Sequence, residues 1–115
     1  MWFDCRIEVK NDEIIGLNLS DTDLTDAGLK ELAGLKQLQT LVLHRTKVTD
    51  AGLKELAGLK QLKSLILSDT DLTDAGLKEL AGLKQLQTLW LYRTQVTDAG
   101  LKELKEALPN CNIYF

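Results

Sequence analysis

The sequence has few of the residues on which most catalytic and metal sites depend. Its 115 residues include one histidine, two cysteines and one proline. His44 has no second histidine with which to complete a zinc site, and no cysteine is expected near it. No nucleophile, base and orienting group stand together, and the carboxylates recur at regular intervals, which marks them as structural. We therefore expect no enzyme activity, no metal and no cofactor.

The spacing of the acidic segments does not match a calcium-binding loop, so we expect no calcium site. The segment "DTDLTDAG", which starts at Asp21 and again at Asp69, faintly resembles a calcium-binding loop. The twelfth position of such a loop is Leu32 rather than a glutamate, and no glycine stands sixth.

Charge and hydropathy argue against two other classes of partner. The formal net charge is -3, whereas nucleic-acid binding needs a basic face. Residues 1–15 carry charges from Asp4 onward and contain no long apolar run, so neither a signal peptide nor a membrane span is predicted. The expectation is one cytoplasmic domain with no nucleic-acid or membrane partner, although a fragment of a larger protein fits the same observations.

The two cysteines stand at opposite ends of the chain. A disulfide requires the Cα atoms of its two residues to lie within about 7 Å of each other. If the chain stacks in a line, several strand spacings separate Cys5 from Cys111, and we expect both to be free thiols.

One segment is repeated letter for letter. "TDAGLKELAGLKQ" occupies Thr25–Gln37, Thr49–Gln61 and Thr73–Gln85, and a fourth copy starts at Thr97 and diverges after Leu104. The copies are 24 residues apart, and a fixed period of this size is typical of a solenoid.

Each unit predicts a strand followed by a helix. In the second unit, Leu41 and Leu43 alternate with polar or exposed positions, which indicates a short strand with one apolar face. Thr49 is a suitable N-cap, with Asp50 in the first turn where the helix dipole favours a carboxylate.

The helix of the same unit has one apolar face and a predicted end. Leu53, Leu56 and Ala57 fall at i, i+3 and i+4, and Gly58 is placed to end the helix in a left-handed conformation. Neither the strand nor the helix can bury its apolar face alone, so each unit must pack on its neighbours.

The pattern L-x-x-L-x-L-x-x-T-x-[VL]-T-D-A-G-L resembles the leucine-rich repeat family over residues 14–108. Its T-D-A-G-L helix start is similar to the bacterial, ribonuclease-inhibitor-like classes of that family. The resemblance implies an α/β fold: a right-handed solenoid in a short arc, with a parallel sheet on the concave face and helices on the convex face. Many members have Asn or Cys where this chain has Thr22, Thr46, Thr70 and Thr94. A threonine hydroxyl can bond to backbone in the neighbouring turn, but the ladder is expected to be thinner.

The N-terminal and C-terminal segments differ from the repeat sequence, which predicts that they form caps over the two ends of the solenoid. Residues 1–13 alternate Cys5, Ile7 and Val9 with charged residues and then reach Asn11-Asp12, which predicts an N-terminal hairpin. Four repeats follow, at 14–37, 38–61, 62–85 and 86–108. Pro109 ends the last helix, and residues 109–115 predict a short C-terminal capping strand.

Variation within the chain is confined to a few positions. Comparison of 17–56 with 65–104 finds four differences in forty positions: Asn18/Ile66, Val42/Trp90, His44/Tyr92 and Lys47/Gln95. All four are predicted to lie on the outer face of the strands or in the loop after them. The varied residues therefore decorate the concave face of a uniform scaffold. A simpler interpretation is that exposed positions tolerate change.

The concave face is the predicted binding site. Val42, Ile66 and Trp90 stand at one position of successive strands and should form an apolar stripe, with Tyr92 beside Trp90. Trp and Tyr are common interface anchors. The leading hypothesis is a small binding module for a protein or peptide, in which this stripe is flanked by His44, Arg45 and Arg93.

Two other functions fit the same residues. Near-verbatim repeats with dedicated caps are also typical of an idealised or engineered scaffold, or of a recent tandem duplication, with no natural partner. Alternatively, the stripe could pair with its own copy, giving a weak homodimer through the concave face.

Charges alternate in sign along one edge of the predicted face. Stacked neighbours of opposite sign should pair, each pair contributing about 0.2–1 kcal/mol. Such a ladder would improve solubility and hold register, or it would help to recognise a partner. Its members are Asp21, Arg45, Asp69 and Arg93, with Asp23, Lys47 and Asp71 beside them.

Overall fold

The computed structural model describes the main chain of Trp2–Phe3 and all atoms of residues 6–115. Over this part of the chain, three strands are followed by a regular alternation of helix and strand. The strands are β1 (Trp2–Phe3), β2 (Ile7–Lys10), β3 (Glu13–Asn18), β4 (Thr40–Val42), β5 (Ser64–Ile66), β6 (Thr88–Trp90) and β7 (Asn112–Tyr114). The helices are α1 (Asp26–Leu32), α2 (Asp50–Leu56), α3 (Asp74–Leu77, continued by a 3₁₀ turn at Lys78–Leu80) and α4 (Asp98–Ala107).

The strands form one sheet in chain order. β1, β2 and β3 pair antiparallel, and the pairs from β3 to β7 are all parallel. Strand–helix–strand units of this kind wind right-handed. Because strands stack about 4.8 Å apart and packed helices about 8–10 Å apart, the sheet lines the inner side of the arc and the helices its outer side. The predicted solenoid fold is confirmed.

The N-terminal hairpin is also confirmed, with one difference in its packing. β2 pairs with β3 across Asn11 and Asp12, whose positive φ angles of 53° and 65° suit a two-residue hairpin turn. The register shifts between Glu8 and Val9, and Ile7 is 38% exposed. Ile7 is therefore exposed and Val9 is only half-buried, and the irregularity between Glu8 and Val9 interrupts the two-residue period of the strand.

The core is a column of leucines supplied by strands, helices and loops alike. In a single repeat, six leucines are fully buried: Leu38, Leu41, Leu43, Leu53, Leu56 and Leu59. The register sets Leu17, Leu41, Leu65, Leu89 and Ile113 in one row across the parallel strands. Each leucine therefore packs on its equivalent in the next unit as well as on its own helix.

The helices end differently from the prediction. α2 ends at Leu56, and the following Ala57 keeps a right-handed conformation with φ -60°. No glycine in the chain has a positive φ angle, so the prediction of a left-handed Gly58 is wrong. The chain leaves the helix through tight turns instead, with Leu59 N–H donating to Leu56 O and Lys60 N–H donating to Gly58 O.

A ladder of carboxylates joins the starts of successive helices. Asp26 accepts hydrogen bonds from the backbone N–H (2.8 Å) and hydroxyl (2.5 Å) of Thr49, the N-cap of the next repeat. Asp50 binds Thr73 in the same way at 2.8 and 2.5 Å. Asp74 accepts from the backbone N–H of Thr97 at 2.7 Å and also from its hydroxyl. The first-turn aspartates therefore link each repeat to the following one.

The glycines of the "TDAG" segments make room for this ladder. A Cβ atom at Gly52, Gly76 or Gly100 would lie within 3.0 Å of a carboxylate oxygen of the preceding repeat's aspartate. The first copy, Gly28, has no such neighbour, and a Cβ there would meet only the flexible end of the Leu24 side chain. The glycines are thus needed for close approach between repeats rather than for backbone freedom.

The threonines at the predicted ladder position act within their own turn. Thr46 Oγ1 donates to Leu43 O at 2.8 Å, and Thr70 Oγ1 donates to Leu67 O at 2.6 Å. Thr22 and Thr94 form the equivalent bonds, to Leu19 O and Leu91 O. The expectation that these hydroxyls bond to a neighbouring turn is wrong, because each one donates to the carbonyl oxygen three residues earlier in its own turn.

The hydrogen bonds between the first-turn aspartates and the next N-cap threonines predict that Gly76→Ala destabilises the protein. This holds although alanine is the better helix former by about 1 kcal/mol. The added methyl group displaces the Asp50 carboxylate from Thr73, and we expect the free energy of unfolding to fall by about 2 kcal/mol. Urea denaturation followed by circular dichroism measures this change.

The matched control is Gly34→Ala, since no atom lies within 4 Å of the Cβ position at Gly34. This variant should unfold at the same urea concentration as the parent protein or slightly above it. A Gly76→Ala protein as stable as the parent would show that the contact of Asp50 with Thr73 does not contribute to the free energy of unfolding.

Candidate functional site

The sheet positions one row of side chains on the concave face. In β4, β5 and β6, the middle residue is a fully buried leucine, so the residue after it points to the opposite side of the sheet. The register pairs Val42 with Ile66, Ile66 with Trp90, and Trp90 with Tyr114. We call Val42, Ile66, Trp90 and Tyr114 the apolar stripe.

Three aromatic rings gather at the C-terminal end of the stripe. The ring of Trp90 stacks on that of Tyr114, with centroids 4.2 Å apart and planes inclined by 20°. The ring of Tyr92 also contacts Trp90, with centroids 5.6 Å apart and planes inclined by 60°. Trp90 is half-buried, while Tyr92 and Tyr114 are 41% and 38% exposed. The three rings of the aromatic cluster therefore contact one another and remain partly exposed to solvent.

Sequence reasoning missed Tyr114. The signal was present, because a shift of 24 residues places Asn112, Ile113 and Tyr114 on Thr88, Leu89 and Trp90. The final strand therefore continues the repeat even though its letters differ, and the stripe is one residue longer than predicted.

His44 and Tyr92 belong to a second row of side chains, which lies next to the apolar stripe and is partly polar. His44 Nδ1 lies 3.5 Å from Asp69 Oδ2, in the loop of the following repeat. The backbone N–H of Tyr92 donates to the buried hydroxyl of Ser68 at 3.2 Å. The predicted site residues His44 and Tyr92 thus lie two residues beyond Val42 and Trp90, on the same face of the sheet.

Charged residues follow this row and share an unusual backbone conformation. Asp21, Arg45, Asp69 and Arg93 all have φ angles of 55–58°, in the left-handed region that disfavours most residues other than glycine, asparagine and aspartate. The same turn shape recurs in every repeat. It places the four side chains in a line along the edge of the concave face.

The predicted pairing of opposite charges is confirmed for Asp21 with Arg45, for Asp69 with Arg93 and for Asp23 with Lys47. Arg93 donates two hydrogen bonds to Asp69, from Nε at 2.6 Å and from Nη2 at 2.8 Å. The contact of Arg45 Nη1 with Asp21 Oδ1 is looser, at 3.6 Å, and both side chains are about 60% exposed. Lys47 pairs with Asp23 at 3.4 Å.

The bidentate pair changes the acidity of its carboxylate. The hydrogen bonds from Arg93 lower the pKa of Asp69, and the nearby charges of His44 and Arg45 act in the same direction. At the helix starts, the hydroxyl and backbone hydrogen bonds from Thr97 lower the pKa of Asp74. Both aspartates therefore remain ionised at neutral pH and hold their partners.

Cys111 is a buried free thiol, as predicted, and burial raises its pKa. Cys5 lies outside the described residues. Within residues 6–115, no three histidine, cysteine or acidic side chains are grouped so that they could hold a metal ion. The longest helix, α4, has ten residues, and none of the described helices has the length and apolar character needed to cross a bilayer.

The chain matches two family models. A model described as two copies of a leucine-rich repeat matches residues 60–106, and a single leucine-rich repeat model matches residues 17–33. No curated protein matches the sequence.

Solved structures show the same fold. Internalin C2 from Listeria monocytogenes is 33% identical, with a TM-score of 0.74, and the match covers 87% of this chain and 40% of internalin C2. A leucine-rich repeat protein of Leptospira interrogans is 31% identical, with a TM-score of 0.69, over 90% of this chain and 26% of that protein. The chain therefore spans less than half the length of either.

A third structure is more distant. The Chaetomium Mex67:Mtr2 structure matches over 86% of this chain and 78% of the matched chain, with a TM-score of 0.69. At 23% identity it bears on the fold alone. The repeat fold is consistent with a protein-interaction scaffold. With its repeats, its register and these matches in agreement, the chain belongs to the leucine-rich repeat family.

Proposed function

We propose that the chain is a non-enzymatic binding module that holds a protein or peptide partner on its concave face. The observation that carries the proposal is the apolar stripe, in which four side chains of successive strands lie in register and end in a cluster of three aromatic rings. The predicted site residues Val42, His44, Ile66, Trp90 and Tyr92 belong to this face.

The aromatic cluster suits binding because it is already ordered. Trp90 is stacked on Tyr114 and contacts Tyr92, so little side-chain entropy is lost when a partner covers it. Covering about 250 Å² of apolar surface contributes roughly 6 kcal/mol before association costs are subtracted. Micromolar affinity requires a net free energy of about 8 kcal/mol, and association itself costs several kcal/mol. A micromolar partner must therefore contact the neighbouring row of side chains as well as the apolar stripe.

The distribution of differences between repeats supports the same face. The pairs Asn18/Ile66 and Val42/Trp90 lie in the row of the stripe, and His44/Tyr92 lies in the row beside it. The exposed helix positions, such as Lys54 and Lys78, are the same in both copies. Tolerance of change at exposed positions does not explain this confinement, because the outer helix surface is exposed as well.

The charged edge supports a structural role more than recognition. The guanidinium of Arg93 is held by two hydrogen bonds to Asp69, so a partner would have to compete with an existing pair. Arg45 has only a 3.6 Å contact with Asp21, which leaves it freer to meet a partner's carboxylate. Arg45 is therefore the better candidate for a polar contact beside the stripe.

Replacement of Trp90 tests the site. Peptides selected from a displayed library against the parent protein should bind Trp90→Ala at least about tenfold more weakly, because the substitution removes the central ring of the cluster. The melting temperature should change little, since Trp90 is only half-buried and the leucine core is untouched. Isothermal titration calorimetry and thermal melting provide the two measurements.

Phe115→Ala is the control for this experiment, because Phe115 is an exposed aromatic residue on the opposite face of the sheet. Its affinity for the same peptides should equal that of the parent protein. Selection that yields no peptide, or peptides indifferent to Trp90→Ala, would favour a scaffold without a partner on this face.

The role of the charged edge is tested by Asp69→Asn. The folded-state pKa of Asp69 is lowered, so its stabilising effect is present above the unfolded-state pKa of about 3.9 and is lost as the pH falls below it. Asp69→Asn should therefore lower the melting temperature at pH 7, and the difference from the parent protein should shrink in acid.

Asp21→Asn is the matched control, since Asp21 has the same backbone conformation but only a 3.6 Å contact with Arg45. It should lower the melting temperature at pH 7 by less than Asp69→Asn does. Equal losses from the two substitutions, or a loss from Asp69→Asn that persists in acid, would contradict the structural role of the Arg93 pair.

A further inference from the structure

The sheet has an open edge at β7. The Asn112 N–H donates to Gln87 O, and Tyr114 O accepts from the Leu91 N–H, so the backbone groups of these two residues face β6. Because backbone groups alternate along a strand, those of Ile113 and Phe115 point away from the sheet. Among the residues that the structure describes, β7 is the last strand in the sheet order, and no other strand lies opposite these groups.

Apolar side chains at this edge are also more exposed than their equivalents in the described repeats before them. Ile113 occupies the row of Leu65 and Leu89, which are fully buried, yet it is only half-buried. Phe115 follows Leu91 by one repeat of 24 residues, but Leu91 is 1% exposed and Phe115 is 68% exposed. A groove of about 400 Å³ lies beside them, lined by Asp98, Leu101, Lys102, Lys105, Ile113 and Phe115.

We propose that β7 pairs antiparallel with β7 of a second copy of this chain, about a two-fold axis through Tyr114. In this register Ile113 lies opposite Phe115 of the second copy, and each pair exchanges two backbone hydrogen bonds. The pairing satisfies the outward backbone groups of both strands. It also covers both apolar side chains at this edge of each copy.

The strand is complementary to itself in the way a two-fold axis requires. On the core side, both residue pairs combine an isoleucine with a phenylalanine. On the concave side, the two copies of Tyr114 form the central pair, about 4.5 Å apart at Cα, so the stack of Trp90 and Tyr114 continues into the second copy. β7 also has no proline or lysine, the residues that commonly protect an exposed edge from pairing.

The available area indicates a weak dimer. The molecule measures 40 × 28 × 20 Å, so an end-to-end contact across the two shorter dimensions buries at most about 1,100 Å² in total. This is at the low end of specific interfaces, which corresponds to micromolar affinity. The dimer is therefore expected at high protein concentration, with two concave faces joined into one longer surface. It does not depend on whether that surface binds a partner.

Sedimentation velocity on the parent chain, from about 1 µM to about 1 mM, should show a reversible monomer–dimer equilibrium with a micromolar dissociation constant. Phe115→Lys should raise that constant at least about tenfold, because it places a charge in the contact, while its melting temperature stays unchanged. Val42→Lys, which adds the same charge to the concave face three strands away from β7, should leave the constant unchanged.

The register is tested by disulfide trapping in a background in which Cys5 and Cys111 are replaced by serine and alanine. Tyr114→Cys places the two thiols in a pair whose Cα distance suits a disulfide, and a covalent dimer should form on mild oxidation. Asn112→Cys is the control, since its two copies would lie about 13 Å apart along the paired strands and should not cross-link.

The proposal is overturned by a chain that remains monomeric up to about 1 mM, or by a dimer that Phe115→Lys does not weaken. A dimer lost in Val42→Lys and retained in Phe115→Lys would instead assign self-association to the concave face. Equal cross-linking of Tyr114→Cys and Asn112→Cys would exclude the register. None of these results bears on peptide binding by a monomer.

Discussion

The hydrogen bonds from each threonine N-cap to the aspartate of the preceding repeat set how the repeats stack. Asp26, Asp50 and Asp74 each accept from a backbone N–H and a hydroxyl one repeat later. Leucines alone are tolerant of small displacements, since apolar contact is not directional. A carboxylate with two donors has a defined position. The ladder therefore aligns the helices, and the glycine in each "TDAG" segment allows the carboxylate to approach so closely.

The apolar stripe exists only because the repeats are aligned. Val42, Ile66, Trp90 and Tyr114 come from four different units, and they form one stripe only because β4 to β7 pair residue for residue. A slip of one residue in any pair would send the leucines of that strand to solvent and the stripe residues to the core. The same stacking that stabilises the fold thus determines what a partner would meet.

The turn after each strand has the same backbone conformation in every repeat, even where the residue does not favour it. Asp21 and Asp69 suit a left-handed conformation, but Arg45 and Arg93 have the same φ angles without that preference. The arginines take this shape because their repeats stack on those of the aspartates. In return, Arg93 lies where its guanidinium can bind both oxygens of Asp69. Local propensity is here overruled by packing between neighbouring repeats.

Much of the fold could be predicted from the sequence because the pattern of leucines recurs with a fixed period. A period of 24, with leucines at fixed places, is enough to predict the strand and helix of each unit, the solenoid and the side of the sheet that bears Val42, Ile66 and Trp90. Tyr114 also obeys the period, but the change of letters after Leu104 hid it. These features depend only on the order of residues along one unit.

Contacts between units could be decided only by the tertiary structure. The sequence suggested that Asp50 serves the helix dipole and that Thr46 reaches a neighbouring turn, whereas Asp50 binds Thr73 and Thr46 bonds within its own turn. It suggested a left-handed Gly58, whereas the left-handed residue of that repeat is Arg45. A repeated letter shows which residues are equivalent, but not which atom of the next repeat lies within hydrogen-bonding distance. That distance is set by the spacing and tilt of the stacked units, which no single repeat contains.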